Sequence, residues 1–250
     1  LHHLLLMSTA DRPLQQKRSR PNSRREMRLR REGFTSIAGV DEVGRGCLFG
    51  PVVAAAVILD PKHPIRGLQD SKQISPQLRE TLSGQIRQRA RAFAFGAIDS
   101  ANIDRWNIYK ATRRAMSMAV QLLNIRADFV LIDAMQLDID IPQKSLIRGD
   151  ALCTSIAAAS ILAKVERDHW MRIWGKLYPQ YNLSSNKGYG TPDHLEALKK
   201  HGPTPLHRFS FRPVYEAVRL NTSASTEQCC ETAPLFSVEK FHVGDHGNTS

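Results

Sequence analysis

A chain of 250 residues with 42% apolar content can build one ordinary globular core, and its length does not demand a second domain. The formal net charge of +11 is unevenly placed: residues 1–35 carry nine Lys/Arg against three acids, residues 221–250 carry one against four, and a surplus of eight basic groups remains over 36–220. That balance suits a polyanion such as nucleic acid, which basic surfaces bind with release of condensed counterions.

In chain order, the opening Leu1–Met7 stretch is too short to span a membrane and lacks a charged leader, so no membrane partner and a cytoplasmic location are expected. The four cysteines, at 47, 153, 229 and 230, form no CxxC or Cys/His ligand spacing, and a reducing compartment is the simpler reading. Residues 1–35 are polar and Arg-rich without hydrophobic periodicity, which predicts a disordered basic arm. The folded unit is expected over 36–220. Thr35–Val40 and the apolar run Val52–Leu59 predict a hairpin-like strand pair, and Ala92–Ile98 a third strand. Ser75-Pro76 reads as an N-cap with proline at the first helical position, with Leu78, Leu82 and Ile86 on one face of the helix that follows. A longer helix is predicted over 103–123, with Ile108, Ala111, Ala115, Ala119 and Leu122 inward. Phe129–Asp133 is a short buried-strand pattern. The Ala-rich stretch 151–174 predicts a long helix able to pack closely through Ala157, Ala158, Ala159 and Ser160. Thr191-Pro192 to Gly202-Pro203 frames a further short helix. Residues 221–250 turn Ser/Thr-rich and aperiodic, which predicts a disordered tail.

Chemistry concentrates at strand ends. Asp41 and Glu42 close one apolar strand and run directly into Gly44-Arg45-Gly46; Asp133 closes another; Asp150 precedes the long helix. Neighbouring side chains on a regular strand point to opposite faces, so Asp41 and Glu42 converge only where the strand is ending. Glycines let backbone N–H groups approach a ligand, and Arg45 adds a cation suited to phosphate. Four clustered carboxylates repel one another unless cations sit among them, whereas hard divalent ions prefer oxygen ligands. Taken singly, Asp150 reads equally well as a plain helix N-cap and Asp133 as an ordinary strand-end residue.

Gly-Val-Asp-Glu-Val-Gly-Arg-Gly (39–46), Leu-Ile-Asp (131–133), and Gly-Asp-Ala-Leu (149–152) followed by Ser-Ile-Ala-Ala-Ala-Ser-Ile-Leu-Ala-Lys-Val-Glu-Arg-Asp (155–168) together resemble bacterial ribonuclease HII. The likeness extends over about 36–215 and includes Gly50-Pro51, Asp70-Ser71-Lys72, Lys187-Gly188-Tyr189-Gly190 and His207-Arg208-Phe209-Ser210-Phe211. It implies an α/β, ribonuclease H-like fold, a mixed β-sheet flanked by helices with a C-terminal helical extension. By the same resemblance, Asp41, Glu42, Asp133 and Asp150 are the catalytic acids, holding two Mn²⁺ or Mg²⁺ ions for hydrolysis of RNA in RNA–DNA hybrids and at ribonucleotides embedded in DNA. The products would carry 5′-phosphate and 3′-hydroxyl ends. Gly44, Arg45 and Gly46 would sense the ribose 2′-hydroxyl, Tyr189 would stack beside the cut, and Asp70, Ser71 and Lys72 would touch the substrate strand. Lys164, Arg167, His207 and Arg208 fit structural or solvated roles equally well. A monomer is expected.

Phe49 is bulkier than the small residue expected there, which predicts altered local packing only. Ala233-Pro234-Leu235-Phe236 in the tail suggests a short docking peptide for a replication clamp, with an idle tail the favoured alternative. Two other readings compete: ribonuclease HIII, disfavoured by Arg45 at the turn and the short arm, and a noncatalytic hybrid-binding module, which has no need of four acids.

Overall fold

The computed structural model describes residues 21–69 and 71–224. A mixed five-stranded sheet carries the fold: β1 (Ile37–Val43), β2 (Val52–Leu59), β3 (Ala90–Ile98), β4 (Phe129–Asp133) and β5 (Gln143–Leu146), in the spatial order β3-β2-β1-β4-β5. The first three strands form an antiparallel meander, while β4 lies parallel to β1 and β5 parallel to β4. The helices among the described residues are α1 (Arg24–Arg31), α2 (Pro76–Arg89), α3 (Ser100–Trp106), α4 (Ile108–Gln121) and α5 (Gly149–Leu152). They continue with α6 (Thr154–Leu177), α7 (Leu183–Asn186), α8 (Pro192–His201) and α9 (Arg212–Ala224). No helix of the described residues is long and apolar enough to cross a membrane.

The central strands are apolar on both faces because both are covered. Ala38, Val40, Ala54, Ala56, Val130 and Ile132 pack against Ala111, Ala115, Met116 and Ala119 of α4. On the other face Ala55 and Val57 meet Ala157, Ala158 and Ile161 of α6, with Leu82 and Ile86 of α2 beside them. A third cluster joins Leu48 and Phe49 to Met171, Tyr181, Leu198 and Val214, which docks the C-terminal helices beside the end of β1. Phe49 is fully buried there, its ring edge-to-face with Trp174, Tyr178 and His207.

Several expectations change. The arm predicted through residue 35 contains α1 at 24–31, whose Glu26 and Leu29 are buried; the apolar signal was too sparse to reveal a helix held by tertiary contacts. The helix predicted over 103–123 is two, because Asn107 turns the chain at φ 70° and caps α4 by accepting the Lys110 N–H at 3.0 Å. Leu122 and Leu78, expected inward, are exposed. The helix predicted from Ala151 is broken at extended Cys153, so α6 starts at Thr154 and Asp150 belongs to a separate single turn. Strand β5 was not anticipated, its Gln-Lys-Ser-Leu sequence lacking any apolar pattern. Helix α9 runs to Ala224, past the predicted boundary at 220. Residues 1–20, Asp70 and 225–250, including Ala233–Phe236, lie outside the described residues.

Candidate active site

The parallel pairing of β1 with β4 ends on Val40 opposite Ile132. Asp41 and Asp133 therefore follow at equivalent places on neighbouring strands, on the sheet face covered by α6. Parallel strands lie about 4.8 Å apart, so their carboxylates share one pocket. Asp41 is only 5% exposed. Its Oδ1 accepts the Glu42 N–H at 2.8 Å, and a hydroxyl hydrogen bond from Ser160 reaches it from α6. Burial first, then the like charges of Glu42 and Asp133, raise the Asp41 pKa well above the ordinary carboxylate range. Glu42 is raised as well, mainly by burial, with Arg45 lowering it and Asp133 raising it again. Three acids thus feel one another electrostatically at one sheet end.

The fourth acid is brought in by backbone. Asp133 Oδ1 accepts the Gly149 N–H at 2.6 Å, which places the α5 turn and buried Asp150 immediately beside β4. Left-handed backbone stands on both sides of this junction, at Ala134 (φ 49°) and Arg148 (φ 57°), conformations that non-glycine residues adopt at a cost. Asp150 Oδ1 accepts its neighbour's N–H, from Ala151, at 2.9 Å. Helix α6 comes close enough to complete the pocket because Gly39 faces it: a Cβ there would lie 2.1 Å from the Ser155 carbonyl carbon.

Beside the acids, Gly44 turns at φ 91° with Arg167 packed against it. Arg167 is fully buried and donates to the carbonyls of Pro51 (3.1 Å), Lys187 (2.7 Å) and Phe49 (2.8 Å). Arg208, also fully buried, donates to Gly50 O and Arg45 O at 2.9 Å each. These two guanidinium groups hold the glycine turn from behind and are structural. Arg45 turns its side chain toward Glu42, Nη1 to Oε1 3.4 Å.

Gly46 has ordinary backbone and open space around it. A Cβ built there would meet Tyr189 Cε1 at 4.0 Å, so the glycine and the tyrosine form opposite walls of a slot. The bridge between Cys47 and Tyr189 and the bond from Leu48 N–H to Gly188 O (2.7 Å) fix that pairing. Lys164 lies 6.0 Å over the Tyr189 ring and bonds Asp168 at 2.7 Å. Of the predicted trio, Asp70 lies outside the described residues, Lys72 is exposed, and Ser71 is buried with its hydroxyl 2.9 Å from that of Ser160. Ser71 therefore supports the Asp41 pocket from behind. Ser160 was read from sequence only as a small packing residue; its hydroxyl role shows only once α6 is laid on β1.

Among the described residues no three Asp, Glu, His or Cys side chains are grouped closely enough to hold an ion as they stand. The repulsion of buried Asp41 by half-buried Glu42 and Asp133 is what divalent cations would relieve.

A mixed sheet of this topology, flanked by helices and ending in acids, defines a ribonuclease H-like protein. It is similar to the ribonuclease H2 of Pyrococcus horikoshii (TM-score 0.63, 26% identity, 75% of this chain and 99% of the other) and, in fold, to Bst-RNase HIII solved with Mn²⁺ (TM-score 0.56, 20% identity, 75% and 70%). Residues 38–214 match the family model described as Ribonuclease HII, and the chain belongs to that family. Relatives named Ribonuclease HII from Solibacter usitatus (57% identity over 189 residues, 76% of this chain and 83% of the relative) and Enterococcus faecalis (52% over 188 residues, 75% and 74%) agree. The family makes this protein a ribonuclease H, a hydrolase with endonuclease activity.

Proposed function

We propose that the protein cleaves RNA–DNA hybrids and incises at single ribonucleotides in duplex DNA, acting as a monomer with Mn²⁺ or Mg²⁺ held by Asp41, Glu42, Asp133 and Asp150. The observation that carries this reading is the buried Asp41 carboxylate repelled by half-buried Glu42 and Asp133 at one sheet end, beside the Gly46–Tyr189 slot. When bound, divalent ions would activate water and offset charge on the phosphodiester. The Mn²⁺ in the Bst-RNase HIII structure is that protein's ion, and the reading carries the same chemistry to this chain.

The chain's own residues then supply selection and placement. Gly46 leaves its backbone open to a ribose 2′-hydroxyl, the group that separates RNA from DNA. The Tyr189 ring, partly exposed across the slot, offers an apolar face to the sugar beside the cut. Ser71 and Ser160 orient Asp41, while Lys72 and Lys164 present cations toward the phosphate backbone. Arg45 tempers the charge on Glu42.

A DNA duplex bearing one ribonucleotide tests this directly. Incubation with Mn²⁺ or Mg²⁺ should give a single incision with 3′-hydroxyl and 5′-phosphate ends, chelation should stop it, and re-addition should restore it. Cleavage that persists under chelation, or equal cutting of all-DNA duplex, would contradict the reading.

A further inference from the structure

Helix α6 begins without a cap of its own. Its N-cap residue, Cys153, makes no side-chain capping bond, although the first N–H groups of a helix need acceptors. The acceptor comes from α1. Glu26 Oε1 takes the Thr154 hydroxyl at 2.7 Å, the Ser155 N–H at 2.9 Å and the Cys153 thiol at 3.1 Å. Burial and then the nearby Glu26 charge push the Cys153 thiol up to about 12, so it stays a donor. Glu26 is 6% exposed, and its Oε2 is buried with no hydrogen-bond partner. A buried carboxylate with one bare oxygen is costly, and the positive end of α6 offsets only part of that.

Two further contacts from the same N-terminal segment land on this short stretch. Asn22 pairs with Cys153 and donates its N–H to Leu152 O at 3.4 Å, while Arg25 Nη1 donates to Leu152 O at 3.1 Å. Upstream, the Cys153 N–H returns to Gly149 O at 2.8 Å, and the Gly149 N–H is held by Asp133. A single helical turn has too few bonds to hold itself. The turn bearing Asp150 is therefore fixed at its start by a candidate metal ligand and at its end by α1.

We infer that Glu26 is a positioning residue for the candidate active site, its trans-cap on α6 fixing the 149–153 turn so that Asp150 stands beside Asp133. The inference rests on the metal-dependent reading above. Partners of this kind, one layer behind the ligands, commonly change metal affinity or activity by about 10–100-fold when removed.

The test compares the full-length wild type with Glu26→Ala and Glu26→Gln. Three readouts are taken below the thermal transition: Mn²⁺ binding by calorimetry without nucleic acid, hydrogen exchange of the peptide covering 147–156, and steady-state cleavage. Glu26→Ala should weaken Mn²⁺ binding and lower kcat by about tenfold or more, speed exchange at 149–153, and leave KM for the duplex within about twofold. Glu26→Gln keeps an acceptor oxygen and should recover most of the loss. Should Glu26→Ala fail to fold, Glu26→Asp, one methylene too short to reach all three donors, takes its place with the same expected direction. A lower Tm with wild-type Mn²⁺ affinity, exchange and kcat would mean a merely structural role and overturn the inference. A wild type that neither binds Mn²⁺ nor cleaves would instead overturn the proposed function, and this inference with it.

Discussion

At Asp41 the proposed function and stability oppose each other within one residue. Its folded pKa is raised, so the protonated form suits the fold and the charged form burdens it. The stability linked to protonation is fully present below the ordinary carboxylate range and is lost as pH rises through the elevated folded value. At neutral pH without divalent ions, Asp41→Asn should therefore raise Tm while abolishing cleavage; thermal melts with and without Mn²⁺ check this, and a lowered Tm in the metal-free variant would contradict it. Gly46 gives the complementary case. Alanine fits there without backbone strain, so Gly46→Ala should change stability by no more than about 0.5 kcal/mol yet reduce incision at a single ribonucleotide at least tenfold; unchanged kcat/KM would remove Gly46 from the slot. Tyr189→Ala should impair a single-ribonucleotide substrate more than an all-RNA strand, an expectation that equal losses would contradict. The acids were legible because each ends an apolar run or opens a helical one. Ser160, Glu26 and the Arg167 and Arg208 anchors were not, because their partners lie far away in sequence and only the fold supplies them.

At the scale of elements, apolar runs located β1, β2, β3 and β4 well, since strands buried on both faces read as continuous hydrophobic segments. Breaks were harder. Asn107 and Cys153 interrupt helices with neither proline nor glycine, through positive φ in one case and an extended residue in the other. The contact between β1 and α6 depends on one missing side chain: Gly39→Ala would drive a methyl into the Ser155 backbone and should cost about 1–3 kcal/mol or more, read as a lower urea midpoint with unchanged slope. Helix α8 is tied to the slot by a histidine pair. The Thr204 N–H donates to His207 Nδ1 at 2.9 Å, which leaves His207 Nε2–H to donate to His194 Nε2 at 3.1 Å, and His194 Nδ1–H to donate to Tyr189 O at 2.8 Å. Each neutral tautomer is thereby set.

Across the whole molecule, that pair gives acid sensitivity a defined source. Burial, with His194 adding to it, depresses His207 from 6.5 to about 3, and burial depresses His194 too; the Tyr181 ring packs on both, and Asp193 acts on His194 as a nearby charge. Because the unfolded chain takes up the proton first, the contribution is intact above pH 6.5 and drains away as pH falls toward 3. Urea titrations from pH 7.5 to 5 should show stability falling with acid, and His207→Gln should flatten that slope; an unchanged slope would place the sensitivity elsewhere. Composition foresaw a basic protein suited to nucleic acid. It did not foresee that α1, inside the basic N-terminal stretch, docks on the catalytic core through buried Glu26 and Leu29 and a hydrogen bond from Arg25.

Counting ions tests the central claim most directly. Mn²⁺ is titrated into the full chain bound to a hybrid whose scissile linkage resists hydrolysis, for wild type and for Asp41→Asn, Glu42→Gln, Asp133→Asn and Asp150→Asn in turn. Two ions should bind per wild-type complex, and every substitution should weaken or abolish at least one. Retention of both ions at wild-type affinity by any of the four variants would contradict a single site shared by these carboxylates.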